Sequence, residues 1–163
     1  MIACEIVKNS YIFYDLSCKL LKPILRRNTW MQRQEGCFRI WTDDSDSRIV
    51  YSEGTGVARA HEIEWLCDKI CDITKDWHHK DCAYIAYIEK LQQVIPKGSS
   101  RYIKLHESLA ANNCKYIAYV EGNSYEVSVQ AARHKEASNT PTTTNKYFTT
   151  VDEALEWLHG LGF

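Results

Sequence analysis

The strongest constraint on this chain is a pair of near-repeats. Cys82-Ala83-Tyr84-Ile85-Ala86-Tyr87-Ile88-Glu89 returns, thirty-two positions later, as Cys114-Lys115-Tyr116-Ile117-Ala118-Tyr119-Val120-Glu121. Each copy is short, rich in β-branched and aromatic residues, and apolar at odd and even positions alike. In the first copy Cys82, Tyr84, Ala86 and Ile88 point one way, and Ala83, Ile85 and Tyr87 the other. A strand apolar on both faces belongs inside a parallel or mixed sheet with helices on its surfaces. The helix-like segment between the copies is long enough for a crossover, so the sequence predicts two adjacent parallel strands joined right-handedly. Two copies fall short of a solenoid, which needs three or more.

The rest of the chain fits one domain around that pair. Its 163 residues bury a proper core, and 45% hydrophobic with 25% charged residues is ordinary for a globular protein. A net charge of −1, with no basic stripe interleaved with aromatics, argues against nucleic acid as a partner. No apolar run reaches membrane-span length, and no secretory leader is visible, so a cytoplasmic setting is expected. The seven cysteines, an odd number, then read as reduced and mostly buried thiols.

Residues 1–36 are expected to form a basic N-terminal extension. They hold six Lys/Arg against three Asp/Glu, a net of +3 that leaves −4 for the remainder. Tyr11 to Arg27 reads as a short amphipathic helix bent at Pro23, packed on the domain or acting as a basic docking arm. From Cys37 the pattern is regular. Phe38–Thr42 and Arg48–Ser52 alternate around an Asp/Ser-rich turn and predict a hairpin closed by Gly54-Thr55-Gly56. The aspartates of that turn lack the glycine and terminal glutamate of a calcium loop. A helix is expected from Ala58 to Asp76, with Ile63, Leu66, Ile70 and Ile73 at helical spacing. After the first repeated strand, Pro96-Lys97-Gly98 leads into a helix from Ser100 to Asn112. After the second, Gly122-Asn123-Ser124 leads into a helix from Tyr125 to Glu136, with Ser124 as its N-cap. Ser138 to Asn145 reads as a long exposed loop, and Lys146–Thr149 as a short strand. Thr150 and Glu153 make a capping box for a final helix, Ala154 to His159, ending at Gly160. The expected fold is therefore α/β, in the order β-β-α-β-α-β-α-β-α. It is a four- to five-stranded mixed sheet with a parallel centre, flanked by about four helices.

That element order resembles the STAS family, the sulfate-transporter and anti-sigma-factor-antagonist domain, in its stand-alone bacterial, SpoIIAA-like form. The resemblance covers residues 37–163. It rests on the hairpin ending at Gly54, on Gly98-Ser99-Ser100 at a helix start, and on the closing run Tyr147 to Leu158. It implies a non-enzymatic regulatory module that binds a protein partner, an anti-sigma-factor-like or other regulator. In partner-switching members an Asp-Ser-Ser-Gly-type sequence follows the central strand and one serine is phosphorylated. Here the match is Gly98-Ser99-Ser100-Arg101, without the acidic residue and without the glycine.

Several constellations carry chemistry in principle. Gly98, Ser99 and Ser100, with Gly122, Asn123 and Ser124, are expected at the carboxyl ends of adjacent parallel strands, where helix N-termini and hydroxyls converge on ligands. The same residues equally make turns and caps. These six are the candidate contact or phospho-acceptor residues. A small-ligand carrier or sensor using that strand-end crevice is the alternative function. Cys67, Cys71, His78, His79 and Cys82 have zinc-ligating types, but their spacing matches no paired knuckle and Cys67 lies on an apolar stripe. No cysteine opens a helix in the manner of an activated nucleophile, which leaves a thiol enzyme as the weakest reading. No catalytic residue, metal or cofactor is implied, and assembly with a second copy is left open. The tyrosines at 84, 87, 116 and 119 read as core.

Overall fold

The computed structural model describes residues 33–43, 48–78, 80–92, 96–122 and 125–163. The expected helix at Tyr11–Arg27 and most of the hairpin turn, with His79, Asn123 and Ser124, lie outside the described residues. The elements run β1 (Arg33–Glu35), β2 (Phe38–Thr42), β3 (Ile49–Gly56), α1 (Ala60–Lys75), β4 (Cys82–Leu91), α2 (Pro96–Ala111), β5 (Cys114–Val120), α3 (Tyr125–Ser138), β6 (Thr144–Phe148) and α4 (Val151–His159). The strands form one sheet in sequence order. β1, β2 and β3 pair antiparallel, and β3 to β6 pair parallel. The mixed sheet with a parallel centre is therefore as expected, with β4 and β5 adjacent inside it. It has six strands where four or five were expected. The extra one is β1, a three-residue edge strand with no apolar residue to signal it.

The two repeats do not superpose face for face. Cys82 pairs with Cys114, then a β-bulge shifts the register so that Ala83 pairs with Tyr116 and Tyr84 with Ile117. A slip of one residue inverts which way every later side chain points. Tyr84 and Tyr119 therefore lie on one face, and Tyr87 and Tyr116 on the other.

Three helices cover the first face and one covers the second. α1 lays down Ile63, Leu66, Ile70 and Ile73, α2 adds Leu105 and Leu109, and α3 adds Val127, all against Phe38, Ile40, Val50, Ile88 and Ile117. α4 brings Ala154 and Leu158 onto Ile49, Ile85, Ala118 and Val120. Each fully buried Leu or Ile contributes about 1.5–3 kcal/mol. Glu62 is buried at the start of α1, where Oε2 accepts from Arg59 N at 2.7 Å and Oε1 from Cys37 N at 3.2 Å. Burial alone would raise its pKa, yet these N–H groups hold it below the ordinary value. At α4, Thr150 and Glu153 close the expected capping box.

Several boundaries differ from expectation. β3 continues through Gly54 to Gly56 instead of ending there. Gly54 is needed for space, since a Cβ would sit 2.5 Å from Leu91 Cδ2. α2 opens at Pro96, four residues before Ser100, because proline suits the first helical position. α4 opens at Val151. The long loop at Ser138–Asn145 is shorter: Ser138 ends α3, Thr144 begins β6, and both Ser138 and Thr143 are buried. Their hydroxyls bond backbone carbonyls, Ser138 to Lys135 O at 2.7 Å and Thr143 to Cys114 O at 3.1 Å.

Candidate functional site

β4 and β5 are parallel neighbours; β5 ends at Val120 beside Tyr87 while β4 runs on to Leu91, and each is followed in the chain by a helix. The beginnings of α2 and α3 therefore follow the same end of the sheet. Gly98, Ser99 and Ser100 are the third to fifth residues of α2, inside its opening turns rather than ahead of it. Ser100 is exposed. Arg101 donates to Glu64 on α1 at 2.8 Å, which ties α2 to its neighbour. Gly122 makes the β5–α3 turn with a φ of +54°, and a Cβ there would meet Glu89 Cγ at 2.7 Å. Four of the six sequence candidates are thus placed at the same end of two neighbouring strands, and Asn123 and Ser124 lie outside the described residues.

Beneath the same helices is a polar cluster that sequence reasoning missed. Tyr102, Leu105, His106 and Leu109 recur at helical spacing along α2, and Val127, Ala131, His134 and Ser138 do so along α3. Together with Phe38, Ser52, Tyr84, Ile88 and Tyr119 from the sheet, several of these residues line a partly enclosed cavity of about 40 Å³. Ser52 Oγ and Tyr84 Oη are 2.5 Å apart and share a hydrogen bond. Tyr119 Oη lies 3.2 Å from His106 Nε2, and the Tyr102 and His134 rings stack at 5.4 Å with an interplanar angle of 1°. Two buried atoms of this cluster have no protein partner, Tyr102 Oη and His106 Nδ1. Leaving such a group unpaired costs about 1–3 kcal/mol. Burial, with smaller contributions from Lys135 and His134, depresses His106 to about 4, so its ring is neutral at pH 7. Burial likewise holds the hydroxyls of Tyr84, Tyr102 and Tyr119 protonated. The only sequence signal was a histidine and a tyrosine inside an otherwise apolar helical stripe, which reads the same as core.

The five described thiols, Cys37, Cys67, Cys71, Cys82 and Cys114, are free and buried or half-buried. Burial raises Cys37 and Cys67 to about 12 and also raises Cys71 and Cys114, the opposite of an activated nucleophile. Cys71 Sγ accepts from Asn112 Nδ2 at 3.2 Å. Among the described residues, no three His, Cys, Asp or Glu side chains cluster in a way that could hold a metal ion. Among the same residues, no helix is long and apolar enough to cross a membrane.

Solved structures share this arrangement of elements. A protein of the DUF3478 family from Shewanella loihica, described as having a SpoIIAA-like fold, matches with a TM-score of 0.57 at 15% identity, over 78% of this chain and 98% of that one. The fold is SpoIIAA-like. The anti-sigma factor antagonist SpoIIAA in its unphosphorylated form matches at a TM-score of 0.51 and 14% identity, over 76% of this chain and 98% of its own. The protein TM1081 matches at 0.50 and 12%, over 78% and 92%. No family model matches the sequence, and no curated protein matches it. At these identities the SpoIIAA-like likeness shows the fold alone.

Proposed function

We propose that the α/β unit, whose sheet takes in Arg33–Glu35 of the expected extension of residues 1–36, is a non-enzymatic, cytoplasmic regulatory module of the STAS kind, preceded by a basic segment. It works by binding a protein partner, an anti-sigma-factor-like or other regulator. The contact centres on the opening turns of α2 and the neighbouring β5–α3 turn, through Gly98, Ser99, Ser100, Gly122, Asn123 and Ser124. The observation that supports this reading is that α2 and α3 follow neighbouring parallel strands at the same end of the sheet, in a fold shared with an anti-sigma factor antagonist. Helix N-termini carry partial positive charge and favour acidic groups. A phosphate on Ser99 or Ser100 would add about −1.5 to −2 charges there and repel an acidic partner. The raised thiol pKa values support a role without covalent catalysis.

The test is capture of a partner from extracts of the source cells by the full chain. Ser100→Asp is expected to weaken that capture while circular dichroism stays unchanged. Thr142→Asp, exposed between α3 and β6, should capture as the parent does. Equal capture by both variants would reduce the α2 opening to a turn and a cap.

A further inference from the structure

The side of the sheet that carries α4 is only partly roofed. Six strands about 4.8 Å apart make a sheet about 24 Å wide, and a single helix is about 10 Å across. α4 has nine residues and packs on β5 and β6. Among the described residues, no other helix lies on that side. Over β2, β3 and β4 the sheet instead presents an aromatic layer. The Trp41 ring stacks on Tyr51 at 5.6 Å and on Tyr87 at 5.7 Å, and the Arg39 guanidinium lies 5.1 Å from its centre. Trp41 and Tyr87 are half-buried. An apolar sheet face is stable when another element covers it.

The chain itself supplies that element. Residues 1–32 precede β1, and Arg33, the first residue of β1, pairs with Ile40, next to Trp41. The chain thus enters the sheet beside the aromatic layer. Arg27 precedes Arg33 by six residues, a reach of about 20 Å when extended. β1 and β4 are three strand spacings, about 14 Å, apart. The sequence of the segment suits the task. Tyr11, Tyr14, Cys18, Leu21 and Leu25 recur at alternating steps of three and four, a spacing that gathers them on one side of a helix. Lys19, Lys22 and Arg26 fall outside that spacing and keep their charges in water. Tethering favours this segment over an outside partner, because a linked segment binds at a high effective concentration.

We propose that residues 11–27 dock on the aromatic layer of Trp41, Tyr51 and Tyr87 in the same molecule, apolar side down, as a second cover beside α4. This docking is independent of partner recognition at the α2 opening.

Photo-crosslinking in the purified full chain tests it. p-Benzoylphenylalanine placed at Tyr87 is expected to link to residues 11–27, in a product of single-chain mass on a denaturing gel, with the link mapped by mass spectrometry. The same group at Lys104, exposed on α2, should give no such link. Leu21→Asp sets a carboxylate into the apolar side and should lower the yield from position 87 at least about fivefold. Position 41 takes the place of 87 if circular dichroism shows that variant to be unfolded, and the mapped link alone decides the matter if Leu21→Asp does not fold. A product of two-chain mass would make a second copy the occupant and overturn the proposal. So would links confined to other residues, no link at all, or an undiminished link in Leu21→Asp.

Discussion

The face of the sheet under α4 and the face under α1, α2 and α3 share the same two repeated strands, yet they bury different chemistry. Under α4 the core is Ile49, Tyr51, Ala83, Ile85, Ala118, Val120, Ala154 and Leu158. Tyr116 meets Trp157 edge-on at 5.7 Å, and Phe148 lies 5.4 Å from the same ring. On the opposite face Tyr84 and Tyr119 face Ser52, His106, Tyr102 and His134, with a cavity among them. The strands do not account for the difference. The three-residue spacing sends one tyrosine of each repeat to each face, and the bulge after Cys82 decides that Tyr84 shares its face with Tyr119 rather than with Tyr116. The helices account for it, because α4 presents aliphatic and indole groups while α2 and α3 present a tyrosine and two histidines. A repeated strand thus makes a neutral platform, and the covering helix decides whether it is a dry core or a polar chamber.

The largest effect should come from the dry face. Leu158 is 0% exposed on α4, and Leu158→Ala should cost about 2–5 kcal/mol in chemical denaturation. A loss under about 1 kcal/mol would mean that α4 is loosely packed and the contrast is wrong.

The next effect separates the faces by pH. His106 titrates near 6.5 when unfolded and at about 4 when folded. Between those values the unfolded chain binds the extra proton, so stability is fully present above pH 6.5 and is lost as pH falls towards 4. The loss amounts to at most about 3 kcal/mol. Glu53 and Glu62, both lowered from 4.5, add their losses only below that value. His134, also lowered from 6.5 by burial, loses stability over the same window, so His106→Gln should reduce the slope of denaturation midpoints between pH 6.5 and 4.5 without abolishing it, while Leu158→Ala should shift them in parallel. Equal slopes in the parent and His106→Gln would place the charge elsewhere.

Smaller effects sharpen the picture. Thr150→Ala removes the cap of α4 and should cost about 1 kcal/mol by thermal unfolding. Tyr102→Phe deletes a buried, unpaired hydroxyl and should change stability by no more than about 0.5 kcal/mol, or raise it. A loss well above 1 kcal/mol would show that the hydroxyl is already paired with water.

Much of this fold was legible in the sequence, for identifiable reasons. Period-two patterns apolar on both faces marked β4 and β5, and the Thr150–Glu153 spacing marked the start of α4. β1 gave no signal, because Arg33, Gln34 and Glu35 carry no apolar alternation, and its pairing with β2 is not written in its own residues. The bulge was hidden because a register shift depends on both strands at once. Pro96 was read as a stop before Gly98, although its fixed φ suits a first helical position. Of the candidate site, glycine and serine marked the strand-end turns through backbone geometry. Tyr102, His106 and His134 passed as core because helical spacing reports burial and says nothing of whether a buried polar atom is satisfied.

The central claim is that the working side of this molecule is the one where α2 begins, away from α4. A photo-crosslinking amino acid placed at Ser100, and separately at Glu156 on the exposed surface of α4, tests it in the source cells. The account predicts a discrete protein adduct from position 100 and none from position 156. An adduct from position 156 alone, or from neither, would contradict it.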